Sequence, residues 1–92
     1  MKKPVTISIE ECENVQRLFL KYNAYMNMLD YLANSISNTE VYDKKWTEAA
    51  EIWAELDKAK RAVEAKYKPE GNWDSFEFDF DNTQVVFVKN ET

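Results

Sequence analysis

The sequence contains no histidine, one cysteine, one glycine and two prolines among its 92 residues. Without histidine, the chain lacks the side chain that most often acts as a general base or binds a metal near neutral pH. One glycine is too few for a glycine-rich loop that cradles phosphate, and one cysteine excludes a cysteine cluster. These absences predict a protein that is not an enzyme and that holds no metal or cofactor.

The same scarcity bears on location. Cys12 has no partner for an internal disulfide, and its place among apolar residues at helical spacing predicts a buried small side chain. The longest uncharged run, Tyr22 to Leu29, is far too short to cross a bilayer, and the N-terminus lacks the apolar core of a signal peptide. We therefore expect a cytoplasmic protein with no membrane partner.

The net charge of −5 is unevenly distributed. Residues 1–69 contain as many acidic as basic side chains, whereas the segment from Glu70 onward is strongly acidic, with Lys89 as its one base. Binding to a nucleic-acid backbone or an anionic membrane requires a basic surface. The charge distribution therefore argues against both as direct partners.

The first half of the chain carries a long helical pattern. Ser8 and Glu11 form an S-x-x-E capping box, which predicts a helix over residues 9–35. The apolar ladder of this helix is Cys12, Val15, Phe19, Tyr22, Met26, Leu29, Ala33 and Ile36, with Leu18, Tyr25 and Leu32 beside it. Packing against one other helix cannot bury a stripe this wide, so we expect the rest of the chain or a second chain to complete the core.

A second helix is predicted over residues 39–68, capped by Ser37 with Glu40, or by Asn38 or Thr39, and ended by Pro69. Its apolar face contains Tyr42, Trp46, Ala49, Trp53, Leu56, Val63 and Tyr67. This face is interrupted at Lys60. Because the connection is short and the helices are similar in length, we expect an antiparallel helical hairpin whose tryptophans and tyrosines lie mostly in the core.

Both ends of the chain show the two-residue period of β-strands. Val5, Ile7 and Ile9 predict a short strand over residues 4–8, and residues 73–89 predict a β-hairpin with a phenylalanine face directed at the helices. The predicted fold is therefore α+β. It is a single domain, residues 1–92, in which a long antiparallel αα-hairpin carries a C-terminal β-hairpin that the N-terminal strand can join.

Two surfaces are candidates for binding a partner. Met28 and Tyr31 lie off the apolar ladder, with Tyr25 at its edge, which predicts an exposed patch on the first helix. The second candidate is a strand edge suited to strand addition, formed by Val85, Val86 and Val88.

Alternating acids give the β-hairpin one acidic face, made of Asp74, Glu77, Asp79 and Asp81. A solvated face that discourages aggregation is the simplest interpretation. Two others stay open, namely a site for a hard cation and a surface that imitates nucleic-acid phosphates.

The chain also resembles a known group of proteins. It is similar to small clostridial components of CXXX-repeat peptide modification systems in four features. These are a lysine-rich start, a helical hairpin with tryptophans in its second helix, the segment KYKPEGNW and the final segment from Trp73 to Phe87. These proteins are encoded beside radical-SAM peptide maturases. The resemblance implies an accessory role near a peptide-modifying enzyme and carries over no catalytic residue.

Three functions follow as hypotheses. The first is a non-catalytic adaptor that docks on a larger protein or a peptide. The second is a phage or mobile-element inhibitor that presents its acidic face to a nuclease or defence protein. The third is a structural homodimer.

Overall fold

Two long helices, α1 (Ile9–Asn34) and α2 (Thr39–Tyr67), form the predicted antiparallel hairpin. The structure, a computed structural model, describes residues 1–34 and 39–90. Both helices agree with the predicted spans to within one residue. The predicted core position of Ile36 and the caps proposed for α2 at Ser37, Asn38 and the Thr39 side chain lie outside what the structure describes.

Ser8 caps α1 as predicted, but with an added partner from α2. The Glu11 amide donates to Ser8 Oγ at 3.1 Å, and Ser8 Oγ donates to Glu11 Oε1 at 2.6 Å. The Ser8 amide, which Glu11 would satisfy in a simple capping box, instead donates to the Tyr67 hydroxyl at 3.3 Å. That hydroxyl donates to Glu11 Oε1 at 2.6 Å, and Lys66 Nζ lies 3.4 Å from the same oxygen. One carboxylate thus joins the start of α1 to the end of α2.

Three strands form one antiparallel sheet in the order β1-β3-β2, where β1 is Lys2–Thr6, β2 is Ser75–Asp79 and β3 is Gln84–Val88. The β-hairpin and the N-terminal third strand are both confirmed. β1 lies two residues earlier than predicted because the chain turns after Thr6. The Ile7 amide donates to the Thr83 carbonyl at 3.1 Å, and the Ile7 side chain is only 4% exposed.

The predicted strand edge at Val85, Val86 and Val88 is wrong. β3 is the central strand, paired with β1 on one side and with β2 on the other. Val85 is fully buried, and Val86 and Val88 are half-buried. Because the N-terminal strand occupies the position that a partner strand would need, these valines stabilise the sheet and offer no site for strand addition.

The phenylalanine face of the β-hairpin packs toward the helices, as predicted. Neighbouring ring centroids lie 5.8 to 6.1 Å apart along a row that crosses from sheet to helix. In order, this row contains Trp73, Phe87, Phe76, Phe78, Phe80 and Phe19. Cys12 is also buried, as predicted, and burial raises the pKa of its thiol.

The sheet covers the helical hairpin only at its open end. The core between sheet and helices consists of Ile7, Cys12, Val15, Leu18, Leu56, Val63, Val85 and Phe87. Farther along the hairpin, Leu29, Ala49 and Ile52 are buried outside this cluster. The radius of gyration, 16.4 Å, exceeds the value of about 12 Å expected for a compact domain of this length. We call residues 19–34 and 39–55 the distal half of the hairpin, because most of them lie beyond the sheet, with Phe19 and Tyr22 at the boundary.

The junction at Glu11 predicts a pH-dependent stability. Hydrogen bonds from the Ser8 and Tyr67 hydroxyls, with Lys66 beside them, hold the pKa of Glu11 below its ordinary value. The resulting stabilisation is fully present above the unfolded-state pKa of about 4.3 and is lost as the pH falls through the folded-state pKa. Glu11→Gln should therefore lower the free energy of unfolding by about 1–2 kcal/mol near pH 7, and by less near pH 3.

Urea denaturation of both proteins at the two pH values measures this difference. Glu51→Gln, at an exposed position of α2, is the matched control and should stay within about 0.5 kcal/mol of the parent protein. A loss in Glu11→Gln that is the same at both pH values would contradict the role assigned to the carboxylate.

Candidate functional site

Two tryptophans predicted to lie in the core are exposed. Trp46 is 42% exposed and Trp53 is 51% exposed, so their assignment to the inner face of α2 is wrong. They stand seven residues apart, in line with Lys60, whose Nζ lies 6.0 Å from the centre of the Phe76 ring on β2. A spacing of seven returns to nearly the same side of a helix. The tryptophans therefore continue the side of α2 that faces the sheet, at a level the sheet does not reach.

An apolar groove lies between these tryptophans and α1. It has a volume of about 260 Å³ and is lined by Tyr22, Trp46, Ala49, Ala50 and Trp53. The two alanines are small, which leaves room between the rings. Ala49 is 1% exposed and forms the buried floor, whereas Ala50 is exposed at the margin.

This groove continues toward the sheet through Phe19. Phe19 is 42% exposed, and its ring centroid lies 6.0 Å from that of Phe80 at the end of β2. A second groove of about 270 Å³ lies there, lined by Val15, Phe19, Leu56, Lys60, Phe76, Glu77, Phe78 and Phe80. Because Phe19 and Tyr22 are one helical turn apart, the two grooves border one apolar surface. We call Phe19, Tyr22, Trp46, Ala50 and Trp53 the distal aromatic face.

The patch predicted on α1 is partly confirmed. Tyr31 is 72% exposed and Met28 is 41% exposed, as expected for positions off the ladder. Tyr25 is half-buried, and its hydroxyl donates to Glu48 Oε2 of α2 at 2.9 Å. Nine residues separate Tyr31 from Tyr22, which at 100° per residue puts them on opposite sides of α1. The Met28 and Tyr31 patch is therefore separate from the distal aromatic face.

Tyr25 instead helps to hold the helices together. Lys45 Nζ donates to the same Glu48 oxygen at 3.2 Å. The Tyr25 hydroxyl and Lys45 together lower the pKa of Glu48, and the bond to Glu48 raises the pKa of Tyr25. This interhelical group aligns Tyr22 of α1 with Trp46 and the rest of the groove wall on α2.

The structure divides the predicted acidic face. Asp79 accepts hydrogen bonds from the amide and side chain of Asn82 at 3.3 and 2.8 Å, and Asp74 accepts one from the Asn90 amide at 2.6 Å. Both carboxylates therefore shape their own hairpin, while Glu77 and Asp81 are exposed. Among residues 1–34 and 39–90, no three acidic or cysteine side chains converge in a group that could hold a metal ion.

Comparisons with known proteins found no matching protein family, no matching curated protein and no matching solved structure. Neither helix, over the residues described, is long and apolar enough to span a membrane. The distal aromatic face is thus identified by its own geometry. One sequence signal pointed to it, since the charged Lys60 interrupts the line of Trp46 and Trp53 and shows that this line is at the margin of the core.

The exposure of the tryptophans predicts how quenchers reach them. Trp73 is half-buried, and its Nε1 donates to the Pro69 carbonyl at 3.3 Å. A protein with Trp46→Phe and Trp73→Phe keeps Trp53 alone, and one with Trp46→Phe and Trp53→Phe keeps Trp73 alone. Acrylamide should quench the fluorescence of the first protein with the larger Stern–Volmer constant, and the reverse order would show that the distal aromatic face is covered.

Proposed function

We propose that this protein is a non-catalytic binding module that docks on a larger protein or a peptide through its distal aromatic face. The observation that carries the proposal is the pair of tryptophans, Trp46 and Trp53, which remain about half exposed and line an apolar groove. Tryptophan is among the side chains that contribute most to binding when a partner buries them.

The energetics support this assignment. A tryptophan buries roughly 150–250 Å² when fully enclosed, and each square ångström of apolar surface removed from water contributes about 25 cal/mol. Two tryptophans, Tyr22 and Phe19 lie on one open face of the isolated chain. Burying their exposed apolar surface would therefore contribute several kcal/mol of free energy that the chain alone does not gain. A partner that fills the groove removes this surface from water and gains that free energy.

The protein acts beside a peptide-modifying enzyme in this proposal. The resemblance to components of CXXX-repeat peptide modification systems suggests that the partner is a peptide-modifying enzyme or its precursor peptide. A cytoplasmic location agrees with the single cysteine. In this setting the protein is an accessory that positions or recruits, and the chemistry belongs to the enzyme.

The test is capture of partners from the source cells by three tagged proteins. These are the parent chain, a Trp46→Ala and Trp53→Ala variant, and a Met28→Ala and Tyr31→Ala variant as the matched control on the opposite side of α1. We expect the parent and the control to capture the same protein or peptide in both low and high salt. The tryptophan variant should lose it, because truncating each interface tryptophan costs about 2 kcal/mol or more of binding free energy.

Two results would contradict the proposal. Equal capture by the tryptophan variant, with loss in the control, would move the binding surface to Met28 and Tyr31. Capture of a nuclease that is released by salt, and lost on replacing Glu77 and Asp81 by their amides, would favour the inhibitor hypothesis.

A further inference from the structure

The distal aromatic face is built from helices alone, and this limits what can bind it. Backbone amide and carbonyl groups within a helix are already paired, so an extended peptide would find no backbone hydrogen bonds there. A groove between two antiparallel helices instead accepts the side chains of a third helix, at i, i+3, i+4 and i+7. From Phe19 to Ala33, α1 offers about 21 Å of length, which matches a helix of about 14 residues.

The distal half of the hairpin carries a net negative charge, because its α1 part adds only Lys21 and Asp30 to the charges of α2. In α2, residues 39–55 contain five acids, Glu40, Asp43, Glu48, Glu51 and Glu55, and two bases, Lys44 and Lys45. Lys45 is already bound to Glu48. Asp43 precedes Trp46 by one helical turn, and at the sheet end Glu77 lines the second groove and Asp81 follows Phe80.

Two bases near the sheet end, Lys60 and Arg61, make contacts within the chain. Lys60 Nζ lies over the Phe76 ring, and Arg61 lies 3.7 Å from Asp57 and 3.5 Å from Glu64. A partner therefore meets apolar rings on a part of the hairpin with a net negative charge, with Lys60 and Glu77 both lining its sheet end. A second copy of the chain would bring its own carboxylates against these, which electrostatic complementarity disfavours.

We propose that the distal aromatic face binds a cationic amphipathic helix of another protein or peptide, which packs its apolar side between Trp46, Trp53 and Tyr22 as a third helix. The inference rests on the proposed function and adds the chemistry of the partner. Aliphatic or aromatic anchors enter the groove, and lysine or arginine side chains reach Asp43 at one end and Asp81 at the other.

The test uses two designed peptides of 18 residues without tryptophan. They share one leucine face at i, i+3, i+4 and i+7, and their other positions carry either lysine with glutamine or glutamate with glutamine. Calorimetric titration in low salt should show that the lysine peptide binds the parent chain about tenfold or more tightly than the glutamate peptide does. The Met28→Ala and Tyr31→Ala control should bind like the parent.

Two variants test the site itself. Trp46→Ala with Trp53→Ala should weaken binding of the lysine peptide by about tenfold or more. Ala50→Gln leaves both tryptophans in place and adds a long neutral side chain at the margin of the groove, so it should weaken binding without removing any packing. Circular dichroism verifies that each variant keeps the helical content of the parent.

The outcomes separate this inference from the proposed function. Equal binding of both peptides, or binding of neither, would overturn the cationic helix, while the capture experiment decides the proposed function independently. If the lysine peptide bound both groove variants as tightly as the parent, charge alone would attract it. That result would also overturn the cationic helix. A parent chain that forms a dimer, and loses it in the tryptophan variant, would make a second copy the occupant and overturn both proposals.

Discussion

The structure depends on a mismatch of length between its two layers. Helix α1 has 26 residues and is about 39 Å long, whereas strands of five residues extend about 17 Å and three of them side by side span about 10 Å between outer axes. Whichever way the sheet lies, it cannot cover the whole helical hairpin. The wide apolar stripe on the helices is therefore buried at the open end of the hairpin and partly exposed in its distal half.

Two groups of polar contacts fix the alignment of the two helices, including the distal half. At the open end, Glu11 joins the start of α1 to Tyr67 and Lys66 of α2. Within the distal half, Glu48 receives the Tyr25 hydroxyl and Lys45. Each junction fixes the helices along their length relative to each other. The walls of the groove, which come from both helices, are consequently aligned in the isolated chain, and a preformed groove would reduce the entropy lost on binding a partner.

Much of the fold was predictable because its signals are local. The Ser8 capping box, Pro69 and the two-residue period of the phenylalanines set the helices and the β-hairpin to within a residue or two. Strand order was not predictable in the same way, since a valine-rich strand has the same pattern at the centre of a sheet as at its edge. The position of Val85 depends on where the N-terminal strand pairs, which is a contact across more than 70 residues of sequence.

The distal aromatic face shows the same limit. Spacing places Phe19, Trp46 and Trp53 on apolar stripes and predicts a core position for them, because apolar periodicity reports a direction around the helix. It does not report how far along the helix the covering layer extends. Thr83, whose φ is 52°, lies in the turn before β3, and its carbonyl accepts the Ile7 amide from near the other end of the chain.

The central claim is that the distal aromatic face is uncovered in the free protein. Small-angle X-ray scattering combined with light scattering tests it most directly. We predict a monomer of 10.9 kDa, with a radius of gyration no smaller than the 16.4 Å of its Cα atoms. A dimeric mass whose formation shields Trp46 and Trp53, or a monomer with a radius near the compact value of about 12 Å, would contradict it.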